Sequence, residues 1–338
     1  MPLFAIATLM PAVLIALGVI HGGAVAALGL IYMTVLVAFL DRLMARETVN
    51  ADPEAEFPGS TALLASLGAV HFVLLGLSVW AVAGHSGLGI TERVLIGLAA
   101  ALVFGQISHP VAHELIHKPA RALRLMGRLM YTSLLIGHHA SAHLRVHHVH
   151  VGSDGDPNSA PVGVGFYRFA LRAGPRSFRA GLTAETAMLT RADRPMWRHP
   201  YLLYIGGAVA VLLLTGTGLG LSGVLAYLAI SLYAQLQIYL SDYVQHYGLR
   251  RKRRDNGSLE PVGPQHSWNA PHWFSSAVTL NAPRHSDHHV TPSRPYPGLQ
   301  LNPDRMPFLP RPLPVMAAIA LVPPLWRRIM DKRAARWG

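Results

Sequence analysis

The sequence predicts an all-α membrane protein: six transmembrane helices under a cytoplasmic, histidine-rich helical cap. Three observations predict it. Hydrophobic residues fill 51% of 338 positions and charged residues 14%, against roughly 25% charged in a soluble domain, too few to cover a water-soluble sphere of this size. Six apolar stretches, at 3–20, 24–40, 62–83, 94–108, 201–214 and 219–240, approach the ~20 residues that cross a bilayer. The chain also has 19 histidines, many of them clustered, and no cysteine. That excludes disulfides, thiolate zinc sites and iron–sulfur or rubredoxin-type centres within the chain.

The first two stretches are separated only by His21-Gly22-Gly23, and no Lys or Arg precedes them. They read as a spanning hairpin rather than a signal peptide. Stretches three and four are joined by a turn at 84–89, and five and six by Thr215–Gly218. Stretches four and five are short and extend into their flanks. If these turns share one side, then of the 29 Lys and Arg residues only Arg93 lies there. The positive-inside rule then puts 41–61, 110–200 and 241–338 in the cytoplasm, consistent with a bacterial inner membrane. This accounts for the net charge of +12 without nucleic acid, for which no aromatic and basic interleaving speaks. The whole chain, 1–338, reads as one membrane-bound domain with a cap built from 110–200 and 241–338. The run Arg250-Arg251-Lys252-Arg253-Arg254 reads as a headgroup anchor, or more sharply as a docking patch for an acidic electron carrier. Residues 281–310 are expected to be irregular. The proline-interrupted 313–326 is expected to form an interfacial helix.

Four histidine elements lie on the cytoplasmic side. His113-Glu114-Leu115-Ile116-His117 puts two imidazoles one helical turn apart; the same pattern serves zinc proteases, with the glutamate as base. In His143-Leu144-Arg145-Val146-His147-His148, spacing predicts that His143 and His147 share a face and His148 diverges towards a second ion. In His285-Ser286-Asp287-His288-His289, His285 and His288 are expected to share a face and His289 to diverge. His246 follows the sixth span. One ion cannot use nine imidazoles; two can, at four or five each, so the cap is expected to hold a dinuclear metal site. A zinc hydrolase needs only three protein ligands, and copper usually brings thiolate or methionine. Iron with several neutral imidazoles and open positions for oxygen fits best.

These motifs, with His246-Tyr247-Gly248, Asp156-Pro157-Asn158-Ser159-Ala160, Gly165-Phe166-Tyr167-Arg168, His266-Ser267-Trp268-Asn269 and Arg294-Pro295-Tyr296, resemble the integral-membrane di-iron alkane monooxygenases. Those belong to the fatty acid desaturase and hydroxylase superfamily. The likeness runs from about residue 60 to about 300, in the same linear order. It implies six spans, a cytoplasmic cap and two irons held by His113, His117, His143, His147, His148, His246, His285, His288 and His289. It also implies hydroxylation of a terminal methyl group with O2, electrons arriving from a rubredoxin and its reductase. The chain departs from the family pattern at Ala142, Val146, Gln245 and Ala282-Pro283, none of them a ligand position.

Glu114, Asp154, Asp242 and Asp287 are candidates to orient imidazoles. His109, His138, His139, His150, His266 and His272 stay outside the ligand set. An apolar channel between helices is the expected route for the substrate, since each CH2 favours an apolar medium by about 0.8 kcal/mol. Rival readings are a desaturase, a lipid hydroxylase or a xylene-type aromatic methyl monooxygenase on the same scaffold, an intramembrane zinc protease, and a metal transporter or sensor. The last would place ionisable groups within the spans, where only His71 sits deep.

Overall fold

The computed structural model describes residues 1–43 and 49–337. Among them the chain is helical, with two isolated bridges, Arg253 to Leu259 and Asn269 to Phe308, in place of strands. Helices α1 (Pro2–His21), α2 (Gly23–Leu43), α3 (Pro58–Val82) and α4 (Ile90–His117), and the run Pro200–His246, are long and apolar enough to cross a membrane. Between α4 and that run lie α5 (Arg121–Ser133), α6 (138–150) and α7 (Phe166–Arg191).

The 47-residue run is broken at Gly220, with φ 66° and ψ −163°, a region that is essentially glycine-only. We number its limbs α8 (200–219) and α9 (221–246). Gly22, between α1 and α2, has nearly the same conformation, φ 62° and ψ −155°. In both places the residues four before and four after the glycine meet. A Cβ on Gly18 would stand 3.0 Å from Ala26, and one on Gly216 would stand 3.4 Å from Val224. The chain therefore doubles back. Tyr204 reaches Ser141 Oγ at 3.0 Å and Gln235 donates to the Leu134 carbonyl at 2.7 Å, although a straight helix would separate the two by about 45 Å. The reversal falls beyond the expected 215–218. Helix continues through Thr215 and Thr217, whose Oγ1 bonds back to Leu213 at 2.9 Å, until the glycine-only conformation ends it.

The fourth apolar stretch, expected at 94–108, is the middle of a longer helix. Its start is capped by Glu92, whose carboxylate accepts from Gly89 N at 2.6 Å and from Gly23 N. Arg93, the base on the turn side, donates to the Val82 carbonyl at 2.8 and 2.6 Å and so closes the end of α3. Helix α4 stops at Lys118-Pro119, as the residue before proline disfavours helix. Within it, Phe104–Ser108 widens to a π-turn. Pro110, which has no N–H and crowds the Gln106 carbonyl, accounts for the widening.

Two expectations for the C-terminal third are corrected. The supposedly irregular 281–310 contains a helix, which follows α10 (Trp273–Val278) and is numbered α11 (His285–Val290). Its histidines, serine and aspartate are all buried, so it has no apolar stripe to announce it. The single interfacial helix at 313–326 is two helices, α12 (Leu313–Ala320) and α13 (Pro323–Ala334). They separate at Val322, before two prolines. Trp326 is fully buried, with ring centroids 5.3 Å from Tyr243 and 5.4 Å from Tyr247. This segment is packed into the cap.

Candidate metal centre

Four helices deliver nine histidines to one place. Helix α4 brings His113 and His117, α6 brings His143, His147 and His148, the end of α9 brings His246, and α11 brings His285, His288 and His289. They form two groups: His113, His117, His143, His148 and His288 in one, His147, His246, His285 and His289 in the other. Within each, one nitrogen per ring lies within 4.8 Å of all the others. The groups abut, with the His148 and His289 rings 4.7 Å apart.

This partition differs from the spacing argument in both helices that carry three histidines. His143–His147 is a π-turn, which aligns residue i with i+5 rather than i+4. His148 thus joins His143, at 2.8 Å between Nε2 atoms, and His147 turns to the other group. In α11 an ordinary helical turn aligns His289 with His285 at 3.1 Å, and His288 diverges to His148 at 3.1 Å.

The nitrogen spacing fits a resident cation. His143 Nε2 lies 2.8 Å from both His113 Nε2 and His148 Nε2. His285 Nε2 lies 3.0 Å from His246 Nε2 and 3.1 Å from His289 Nε2. One ring nitrogen offers a single hydrogen or a single lone pair, so these contacts cannot all be hydrogen bonds. His117 Nε2 and His147 Nε2, one in each group, are buried without a partner. Burial, followed by neighbouring imidazoles, pushes His143, His285, His288 and His289 well below the ordinary histidine range. They are therefore neutral, the form that binds metal. With metal–nitrogen bonds of about 2.1 Å, ligands at right angles stand about 3.0 Å apart and tetrahedral ones about 3.4 Å. The observed 2.8–3.1 Å is of this order, so these rings stand where they could share an ion.

The four carboxylates singled out from the sequence bond elsewhere. Glu114 pairs with Lys118 at 3.7 Å. Asp154 is fully exposed and faces Arg250 at 3.3 Å; it lies outside the site, in correction of the expectation. Asp242 accepts from Asn158 Nδ2 at 2.7 Å. Asp287 binds Arg294 at 2.5 Å and Gln300 N at 2.9 Å. The carboxylate that does hold one of the nine imidazoles is Asp156, 2.8 Å from His147 Nδ1, itself fixed by Ser159 Oγ at 2.6 Å and Asn158 N at 3.0 Å. Its sequence signal was the tight turn Asp-Pro-Asn-Ser nine residues past His147. Among the remaining histidines, His109 meets the Tyr131 hydroxyl at 3.0 Å and His139 stacks on His143 at 5.6 Å. His266 pairs with Glu260 at 3.1 Å. The basic run 250–254 is partly tied down: Arg251 donates to the Glu260 carbonyl at 2.7 Å and the Val149 carbonyl at 3.0 Å.

A cavity opens on the centre, touching His113 and His143 of one group and His285 of the other, with Leu313, Pro314 and Ala317 of α12 as an apolar wall. An adjoining hollow continues it among side chains of α2, α4, α9 and α12, including Met33, Val37, Leu102 and Leu240.

Residues 93–318 match the model of the family described as fatty acid desaturase. Alkane 1-monooxygenase 2 of Pseudomonas aeruginosa is 33% identical over 313 residues, covering 88% of this chain and 81% of that protein. Alkane 1-monooxygenase 2 of Alcanivorax borkumensis is 30% identical, covering 88% and 80%. A more distant relative is the xylene/toluene monooxygenase hydroxylase component XylM of Pseudomonas putida, 26% identical over 71% of this chain and 63% of its own.

Proposed function

The chain belongs to the fatty acid desaturase family, in the branch of the alkane 1-monooxygenases, and from that premise we propose that it hydroxylates the terminal carbon of alkanes. The balance is a methyl group, O2, two electrons and two protons giving a primary alcohol and water. One observation carries the reading: nine imidazoles in two abutting groups beside an apolar cavity. Two iron ions, when bound, supply the dioxygen chemistry that no side chain here can perform. The nine histidines would hold them, five to one and four to the other.

The chain's own residues do the rest. Asp156 orients His147 through its outer nitrogen and raises its basicity. Leu313, Pro314 and Ala317 exclude water from the cavity and pack an aliphatic chain against the His113 side. The limbs α8 and α9 each cross the bilayer, making six spans, and the charged segments face the cytoplasm of a bacterial inner membrane. The electrons come from outside, from a rubredoxin-type carrier and its reductase, since the chain has no cysteine. The basic face of the cap, including the exposed Lys252, Arg253 and Arg254, supports docking of an acidic partner.

Metal analysis of the purified protein, alongside oxygen-dependent conversion of alkanes and alkylbenzenes, tests the reading. Two irons per chain and a primary alcohol from an alkane are expected. Exclusive formation of a double bond or a benzylic alcohol overturns the substrate, and a single zinc overturns the centre.

A further inference from the structure

Helices α4 and α9 come together at Gly105, where an added Cβ would lie 2.3 Å from Gln237 Cβ. Beside this contact Gln106 Nε2 donates to Gln237 Oε1 at 3.3 Å. Both side chains line the cavity at the histidines and also the adjoining hollow, so the pair stands at the junction between them. The other glutamines of α9 are engaged differently. Gln235 donates to the Leu134 carbonyl at 2.7 Å, and Gln245 donates to Ala282 at 3.0 Å while accepting from Ser241 at 2.9 Å. Gln106 and Gln237 have only each other among the described residues. Whichever way the two amides are flipped, a single mutual bond leaves one carbonyl oxygen and at least one N–H facing the cavity. The hollow beyond holds a second unmet group: Asp41, 7% exposed, has its Oδ2 buried without a partner.

A plain alkane leaves all of these groups unsatisfied. A chain bearing one hydroxyl can meet those of the glutamine pair in part, because a hydroxyl both donates and accepts. We propose that the Gln106–Gln237 pair is a hydrogen-bonding subsite for a primary alcohol, so that the enzyme favours long-chain alcohols over alkanes of equal length. The inference rests on the proposed terminal hydroxylation and narrows its substrate class. Gln106 precedes His113 by seven residues, roughly 10 Å along α4. A chain held at its hydroxyl end thus presents its far methyl to the histidines. One C–H bond is replaced by C–O, and the alcohol, O2, two electrons from the external carrier and two protons give an α,ω-diol and water.

The test uses the purified, iron-loaded protein in detergent with radiolabelled 1-decanol and decane. Anaerobic retention of each is measured first, then competitive conversion with O2 and reductant. The wild type is compared with Gln106→Leu/Gln237→Leu and with Gln106→Met/Gln237→Met, which keeps side-chain length if the leucines fail to fold. The wild type is expected to retain and convert the alcohol preferentially, and the variants to lower the alcohol-to-alkane ratio about tenfold. A wild-type preference for decane, or a ratio unchanged in a folded double variant, overturns the subsite. If neither chain is oxidised, the hydroxylase reading fails on its own, while anaerobic retention still decides the subsite.

Discussion

Asp156 and His147 form a buried carboxylate–imidazole pair, 2.8 Å between Oδ2 and Nδ1, in which the inner nitrogen of His147 is left free towards His246 and His289. Burial alone would raise the Asp156 carboxyl; His147, with Ser159 and Asn158, holds it below the usual range. Asp156→Asn is therefore expected to weaken metal binding about 10- to 100-fold, read by metal titration, with fold retained by circular dichroism. A depressed carboxylate stabilises above its ordinary value and loses that contribution as pH falls through its native one. The thermal advantage of the metal-free wild type over Asp156→Asn should thus persist from neutrality to about pH 4 and vanish below it. An advantage that disappears between pH 7 and 5 contradicts the assignment.

The division of the histidines predicts separable metal losses. His285→Ala removes the nitrogen that touches both His246 and His289, and should leave about one metal ion per chain, held by the five-histidine group. The double variant His113→Ala/His148→Ala, which likewise leaves three imidazoles, should instead empty the five-histidine group. Either substitution is expected to abolish hydroxylation, as are His246→Ala and His288→Ala. Metal counting checks this; loss of both ions, or of neither, from His285→Ala and from the double variant argues against two groups.

That these nine histidines converge was legible in the sequence because clusters of histidine beside spanning helices have few structural uses. Their sorting was not. Spacing arguments assume 3.6 residues per turn, and His143–His147 is π-helical, so the partners of His147 and His148 were exchanged. Asp156 was overlooked because it is nine residues from its histidine in sequence, while Asp154, nearer but fully exposed, was singled out. Composition marked α1 to α3 well, since about 20 apolar residues cross a bilayer, and caught only the middle of α4. It missed α11, whose burial is of polar side chains against each other, and it read α12 and α13 by their prolines rather than by Trp326.

That tryptophan carries a stability prediction. Trp326 packs on Tyr243 and Tyr247, and Tyr247 Oη donates to Asp331 at 2.5 Å while accepting from Gly163 N at 2.7 Å. The cap is thus tied to the residue that follows His246. Trp326→Ala should cost about 3–5 kcal/mol, and Tyr247→Phe about 1 kcal/mol or somewhat more, since it leaves Asp331 and the Gly163 N–H unmet. Thermal unfolding in detergent measures both, and metal content should follow stability in the first variant. A Trp326→Ala protein as stable as wild type would show that this side chain does not anchor α13.

The two reversing glycines should respond unequally to substitution. Gly22 and Gly220 share a conformation that non-glycine residues avoid, at a cost on the order of 1–3 kcal/mol. At Gly220 nothing lies within 4 Å of an added Cβ, whereas at Gly22 it would meet Glu92 Oε1 and a Leu88 methyl, each at 2.9 Å. Glu92 also caps α4 through Gly89 N, so displacing it disturbs a second helix start. Gly220→Ala therefore carries backbone strain alone, and Gly22→Ala carries strain, a clash and a weakened cap worth roughly a further 1 kcal/mol. Thermal midpoints of the two variants should fall in that order, with Gly22→Ala the lower. Equal midpoints would show that the contacts around Gly22 relax freely and that only the backbone conformation matters at either turn.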